Sequence, residues 1–340
     1  MTPDSSAAAP PPPFALGTFV SGGEEFPGMV VDDQVVDIRP ILPGVRRTGD
    51  LFAEWDANVD ALQAETGRVG IPLESLRVLP PVQPVGPILA AGVNYREHIV
   101  EMSVAHRLGE AGASDEQLRA DAAAELDRRV RSGDPYIWTG IPSAVSGAYD
   151  DVRLPDFGEH VDWEAELGVV IGRPAWRVSV EEALDHVAGY VIVNDITARS
   201  LVPRDDIAKI GTDWFRAKNQ PTFFPVGPLL VPARFVPDPS ALRIQLRLNG
   251  TMMQDSSTYD MAFDVSALIA YASSVAELRP GDLLITGSPA GNGSHWKRFL
   301  EAGDVMEVSI TGLGTQRTAV RGPSGVPAPW HASRAVGATG

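Results

Sequence analysis

Along most of this chain the apolar positions come in short alternating stretches or short continuous runs, which is the signature of many strands and few helices. Alternation and β-branched content predict strands at Ala15–Val20 and within Met29–Ile38. Continuous apolar runs predict buried strands at Ile88–Val93, Glu166–Ile171 and Tyr190–Asn194. Shorter strands are expected at Phe224–Val226, Arg243–Leu248, Leu283–Thr286 and Val305–Ile310. Asn249-Gly250 is a hairpin turn, because a two-residue loop needs positive φ at both central positions. Helical spacing predicts helices at Leu51–Thr66, Tyr95–Met102, Ser114–Arg131, Ser179–His186 and Phe263–Leu278. Two of these open with capping boxes, Ser114 with Gln117 and Ser179 with Glu182, and stop near Gly133 and Gly189. The expected fold class is therefore α+β, mostly β.

Composition divides the chain. Residues 1–13 are rich in Ala, Ser and Pro and read as a disordered lead. Residues 14–81 read as a small N-terminal subdomain, closed by the stiff linker Pro80-Pro81-Val82-Gln83-Pro84. A large domain follows over 82–322, and 323–340 is a flexible tail of Pro, Ala and Gly. Residues 103–133 are charged and Ala-rich and are expected to lie over the surface, either as a lid or as a simple insertion.

Charge removes several functions. The chain carries 28 basic and 44 acidic residues, a formal charge of −16. A nucleic-acid or anionic-membrane surface needs clustered Lys and Arg, so neither partner is expected. There is no cysteine, which excludes disulfides, zinc–thiolate sites and thiol nucleophiles. No apolar run approaches the ~20 residues that cross a membrane. The first residues lack a basic stretch followed by an apolar core, so a cytoplasmic protein is expected.

The candidate chemistry sits where acids meet apolar runs. Glu164 and Glu166, two apart, lead into Leu167-Gly168-Val169-Val170-Ile171. On a strand they would share one face beside a buried segment. Acid pairs ordinarily line a solvated strand face. Here the apolar continuation argues against that, and so does Asp195, which ends the run Gly189–Asn194. Adjacent buried carboxylates cannot all stay ionised without a cation. Three carboxylates with no neighbouring His or Cys suit Mg²⁺, Mn²⁺ or Ca²⁺ rather than Zn²⁺. His98 and Glu101 lie at i, i+3 on an expected helical turn. They read as a surface pair or as a base with the carboxylate that orients it. Lys218, flanked by Ala217 and Asn219 and close in sequence to aromatic and proline residues, reads on its own as a surface lysine.

A run of motifs then carries a resemblance. In order they are Gly92-Val93-Asn94-Tyr95 with His98 and Glu101, Trp163-Glu164-Ala165-Glu166-Leu167 through Gly172-Arg173, Asn194-Asp195-Ile196-Thr197-Ala198-Arg199, and Lys218 ahead of Pro225-Val226-Gly227-Pro228. Leu278-Arg279-Pro280-Gly281-Asp282, Thr286-Gly287-Ser288-Pro289-Ala290-Gly291 and Gly303-Asp304 through Gly314 complete the series. Over roughly 89–320 the chain resembles the fumarylacetoacetate hydrolase family. The resemblance implies a mixed β-sheet roll, a homodimer, and one enclosed divalent metal, Mg²⁺ or else Mn²⁺ or Ca²⁺, on Glu164, Glu166 and Asp195. It further implies a water activated by His98 and Glu101, a catalytic Lys218, and substrate contacts from Tyr95, Arg199, Thr286 and Ser288. The implied activity is hydrolysis of a carbon–carbon bond in a β-diketo acid of the acylpyruvate or fumarylacetoacetate type. A hydratase, an isomerase or tautomerase, and a 2-oxoacid decarboxylase are competing activities for the same site, and a non-catalytic divalent-binding protein is the competitor from another class. Three departures from the family pattern stand out: Pro221 where many members have an acid, Trp138-Thr139-Gly140 without a lysine before Pro142-Ser143, and Ser200-Leu201-Val202 after Arg199. The first removes the acid of an acid–lysine relay, and the other two imply an altered or larger substrate pocket.

Overall fold

The strand Ala165–Ile171 is buried along its whole length, and the rest of the fold is arranged around it. In the computed structural model, which describes residues 11–326, this strand pairs antiparallel with Val187–Asn194 on one side and with Leu283–Ile285 on the other. The central sheet runs Tyr136–Gly140, Ile88–Gly92, Leu283–Ile285, Ala165–Ile171, Val187–Asn194, Phe224–Val226, Val145–Gly147, with Val231–Pro232 also pairing to Val187–Asn194. It is mixed: Leu283–Ile285 lies parallel to Ile88–Gly92, and Phe224–Val226 parallel to Val145–Gly147.

Both faces of this sheet are covered, which is why its strands read as continuous apolar runs rather than alternating ones. Leu167, Val169 and Ile171 pack with Ile244, Leu246 and Met306 and with Leu268 and Ile269 of the helix Val265–Val275. The opposite face, Val170, Val191, Val193 and Ile285, packs with Phe14, Leu16, Leu51 and Phe52. Each such side chain contributes about 1.5–3 kcal/mol on full burial. Gly168 permits the close approach of the paired strands, since a Cβ there would lie 2.6 Å from Val191 Cγ2.

Two five-stranded sheets flank the central one. The first has the order Ile71–Pro72, Gln34–Asp37, Glu24–Val31, Ala15–Ser21, Arg77–Leu79. The second has the order Thr251–Ser257, Arg243–Leu248, Val305–Ile310, Gly314–Arg321, Val152–Arg153. The architecture is α+β and mostly β, with mixed sheets, as the pattern predicts. Among the described residues no helix is long and apolar enough to cross a membrane.

Several local expectations hold. Ser114 caps the helix Asp115–Ser132 by accepting the Gln117 N–H at 3.2 Å, although the Gln117 side chain turns to Asp121 instead of closing the box. Asn249 and Gly250 adopt φ of 51° and 82° in the expected hairpin. Others need correction. The segment Met29–Ile38 is not one strand. It folds back at Asp32 and Asp33, with φ of 46° and 61°, between Glu24–Val31 and Gln34–Asp37. Leu51–Thr66 resolves into a 3₁₀ segment, Thr48–Glu54, and an α-helix, Trp55–Gln63. At Ser179–Glu182 the capping box forms, with both reciprocal bonds at 3.3 Å, yet only the single 3₁₀ turn Ala183–His186 follows. Val187 already pairs with Ile171, so strand registration takes the residues a longer helix would need. The helix expected over Phe263–Leu278 is shortened to Val265–Val275, because Asp264 caps it and Leu278 pairs with Ala175. The expected lead and tail fall largely outside the described residues.

Candidate active site

Hairpin register builds the site. Ala165 stands opposite Asn194, so Glu164 and Asp195 meet where the two strands open, and the Asp195 N–H donates to the Glu164 carbonyl at 2.8 Å. The Asn194 side chain fixes the turn by accepting the Glu164 N–H at 2.9 Å. Glu164 precedes the strand and Glu166 lies within it. Glu166 Oε2 accepts the Gly287 N–H at 2.7 Å. Gly287 has φ of 89°, and a Cβ there would crowd Asn94 Cβ at 3.1 Å. One oxygen from each of Glu164, Glu166 and Asp195 lies within 4.8 Å of the others, and all three residues are buried.

Two bases face this cluster. Lys218 Nζ donates to Glu164 Oε2 at 2.6 Å and also to Asp195 Oδ2. Arg199 donates through Nε to Asp162 Oδ2 at 2.8 Å and through Nη2 to Glu164 Oε1 at 2.5 Å. Asp162 is a fourth buried acid, and it also accepts the Gly293 N–H at 2.5 Å. With all four ionised, Asp162, Glu164, Glu166 and Asp195 would outnumber Lys218 and Arg199 by two charges in a buried place.

The titration of the cluster follows from that excess. Burial alone would raise the Glu164 pKa, but Arg199 and Lys218 together hold it below the ordinary carboxylate range. Burial, then the neighbouring Asp195, push Glu166 well above that range. Asp195 is pushed up to about 7, by burial first and by Glu164, against the pull of Lys218. These residues fit a hard divalent cation on two grounds. Their donors are all carboxylate oxygens, and Asp195 Oδ1 is buried without a hydrogen-bond partner among the described residues.

A cavity of about 250 Å³ opens onto the triad and is also lined by His98, Arg199, Lys218 and Ser288. His98 stands on the helix Arg96–Ala105. Part of the ring is reached through the cavity, yet the protein packed around it pushes its pKa down to about 4. The imidazole is therefore neutral near pH 7, and its buried Nδ1 has no partner among the described residues. Glu101 does not close the expected pair with His98. Its Oε2 accepts the Gly291 N–H at 2.9 Å and its Oε1 lies 3.4 Å from His295 Nδ1. The i, i+3 spacing holds, but a backbone donor and a second histidine take the carboxylate.

The expected substrate contacts divide. Arg199 and Ser288 line the cavity. Tyr95 and Thr286 are fully buried, and neither is among the residues lining it. The Thr286 hydroxyl donates to the Leu167 carbonyl at 3.1 Å, so it is committed to holding two central strands together.

Sequence reasoning passed over Asp162 and the aromatic wall. Trp138 and Trp214 stack with ring centroids 6.3 Å apart and planes at 20°, and Lys218 Nζ lies 5.3 Å and 5.7 Å from those centroids. Trp214 and Lys218 are four apart on the helix Trp214–Lys218, a spacing that could have paired them in advance. The lack of a lysine at Trp138-Thr139-Gly140 has a packing counterpart: a Cβ on Gly140 would lie 2.9 Å from the Phe224 ring.

The family described as fumarylacetoacetate (FAA) hydrolase C-terminal matches residues 87–321. A 2,4-didehydro-3-deoxy-L-rhamnonate hydrolase of Sphingomonas sp. (strain SKA58) is 37% identical over 308 residues, covering 89% of this chain and 94% of its own. An oxaloacetate tautomerase of Xenopus laevis mitochondria is 35% identical over 242 residues, covering 71% of this chain and 67% of its own. The crystal structure of maleylpyruvate hydrolase from Sphingobium sp. SYK-6, in complex with manganese(II) and pyruvate, superposes with a TM-score of 0.70 at 28% identity, covering 91% of this chain and 100% of that one. This chain belongs to the fumarylacetoacetate hydrolase family.

Proposed function

We propose that the protein is a divalent-metal-dependent hydrolase that cleaves a carbon–carbon bond in a β-diketo acid. The observation that carries this reading is the closed triad of Glu164, Glu166 and Asp195 at a cavity that also holds a neutral His98. A divalent ion on the triad, Mg²⁺ in this proposal with Mn²⁺ or Ca²⁺ accepted by the same donors, would supply Lewis acidity toward a substrate carboxylate and its adjacent oxo oxygen. The remaining chemistry belongs to the chain. His98 takes a proton from water, whose oxygen bonds to the distal carbonyl carbon. The carbon–carbon bond then breaks, its electron pair passes to the fragment bearing the 2-oxo acid, and that fragment takes a proton back from His98. The products are a carboxylic acid and a 2-oxo acid. Lys218 and Arg199 place positive charge where negative charge develops, and Ser288 shapes the cavity wall, its hydroxyl accepting from Gln254 Nε2 and donating to the Pro289 carbonyl. Tyr95 and Thr286 support the wall from behind. The segment 103–133 acts as a lid that excludes water, a role supported by Leu108 of that segment reaching the cavity. The proposed assembly is a two-fold dimer, the commonest arrangement among oligomers.

One observation favours a second reading, tautomerisation of a 2-oxo acid: Glu101 rests on Gly291 and His295 rather than on His98. Relatives of both kinds are similar to this chain. Purified protein with Mg²⁺ is mixed with acylpyruvates, diketo sugar acids and oxaloacetate while enol absorbance and products are followed. Hydrolysis yields two acids from one diketo acid. Tautomerisation changes the absorbance and yields no new acid.

A further inference from the structure

The cavity is lined by side chains of two chemical kinds. The charged and titratable ones are the triad with Arg199, Lys218 and His98. The aromatic and aliphatic ones are Tyr136, Trp138 and Trp214, together with Val93, Ile99, Met102 and Leu108, and the two indoles begin beside Lys218. Tyr136 and Trp138 alternate on the edge strand Tyr136–Gly140 and so share one face. That face meets Trp214, whose ring centroid lies 6.4 Å from Tyr136 and 6.3 Å from Trp138. The rings run outward from Lys218, which is 3% exposed, through the half-buried indoles to Tyr136, which is 40% exposed. Among these aromatic and aliphatic lining side chains the polar atoms are the Tyr136 hydroxyl and the two indole N–H groups.

On the reading given above, a substrate anchored at the triad extends its acyl group along this wall. From the paired indoles we infer that the acyl group is flat, unsaturated and uncharged, an aroyl or conjugated enoyl group stacked on Trp138 and Trp214, and not a hydroxylated chain. Aromatic faces favour stacked rings beyond the area they bury. A tail hydroxyl set against the indole faces exchanges water for carbon, and only the Tyr136 hydroxyl and the indole N–H groups offer it a partner. Among the residues lining the cavity, Lys218 and Arg199 are the lysine and arginine present, and both are already paired with Glu164, Asp195 and Asp162, which disfavours a second terminal carboxylate. The inference therefore departs from the sugar-acid substrate named for the 37%-identical relative.

The test measures binding as well as turnover. Mg²⁺-loaded protein is titrated by calorimetry with 2,4-dioxo-4-phenylbutanoate, with 2,4-dioxopentanoate, and with a 2,4-dioxo acid bearing two tail hydroxyls. The phenyl compound is expected to bind about tenfold tighter than the methyl one, as stacking implies, and the hydroxylated one weakest. Trp214→Ala should erase most of that preference and Trp214→Phe should retain it. Should Trp214→Ala fail to fold, Leu108→Asn at an exposed position of the same wall should lower the preference instead. Equal affinities, tightest binding of the hydroxylated acid, or a preference indifferent to these variants overturns the inference. Aryl-selective binding without cleavage upholds it and removes the hydrolase reading.

Discussion

Lys218 Nζ lies 2.6 Å from Glu164 Oε2, and the same ammonium also bonds Asp195. One buried base thus bridges two members of the carboxylate triad, while the third, Glu166, depends on a backbone N–H. Removing one partner of a buried ion pair costs about 3–5 kcal/mol, because the other charge is left uncompensated. Lys218→Met should therefore lower the denaturation midpoint of metal-free protein strongly, and added Mg²⁺ should restore more stability to this variant than to the wild type. Thermal melts with and without Mg²⁺ check both halves.

Stability should depend on pH through Asp195. Its folded pKa of about 7 stands above the unfolded value of about 3.9. A raised folded pKa means that the folded state binds the proton more tightly. That stabilisation is complete below about pH 4 and is lost as pH rises through about 7. Metal-free His98→Ala protein, which lacks the opposing titration of a buried neutral imidazole, should then melt lower at pH 8 than at pH 5.5, and the rise in its melting temperature on adding Mg²⁺ should be larger at pH 8. A metal-induced shift that is equal at both values contradicts the titration assigned to Asp195.

His98 should act as a base in its neutral form. His98→Ala should lower cleavage by about 10²–10⁴ while substrate analogues still bind. Glu101→Gln should lose less, since Glu101 in this structure holds Gly291 and His295 rather than the imidazole. Following cleavage and tautomerisation of one acylpyruvate in parallel separates the readings. Near wild-type cleavage by His98→Ala removes the proposed role and favours tautomerisation.

Asp162 anchors Arg199 and the Gly293 N–H from a fully buried position. Asp162→Asn retains the shape but loses the charge that partners Arg199. It should destabilise the protein by about 1.5–3 kcal/mol, the worth of a hydrogen bond to a charged group, and weaken substrate binding. Urea denaturation and KM measure the two effects separately.

The site was legible in the sequence where acids terminate apolar runs. Glu164, Glu166 and Asp195 could be read because burial on both faces writes continuous apolar strands, and a carboxylate at the end of one is conspicuous. Their partners were not legible, because they come from distant segments: Gly287 reaches Glu166 across the sheet, and Gly291 takes Glu101. Asp162 carries no distinguishing signal of its own, because its partner Arg199 is brought to it only by the fold. Thr286 stood in the right motif, but tertiary pairing commits its hydroxyl to Leu167. At Asp32-Asp33 the turn lacked the Asn-Gly signal that marks Asn249-Gly250, so the hairpin between Glu24–Val31 and Gln34–Asp37 went unread. Ser179 and Glu182 form the expected box, yet β pairing from Val187 overrode the helix it announces.

The central claim is that Glu164, Glu166 and Asp195 hold a catalytic divalent cation, and a Mn²⁺ titration of the chelator-treated protein tests it most directly. Calorimetry or electron paramagnetic resonance should show one saturable ion per chain in the wild type, and saturable binding should be lost in Glu166→Gln and in Asp195→Asn, each shown by circular dichroism to be folded. Undiminished Mn²⁺ affinity in those variants, or no saturable site in the wild type, contradicts the claim.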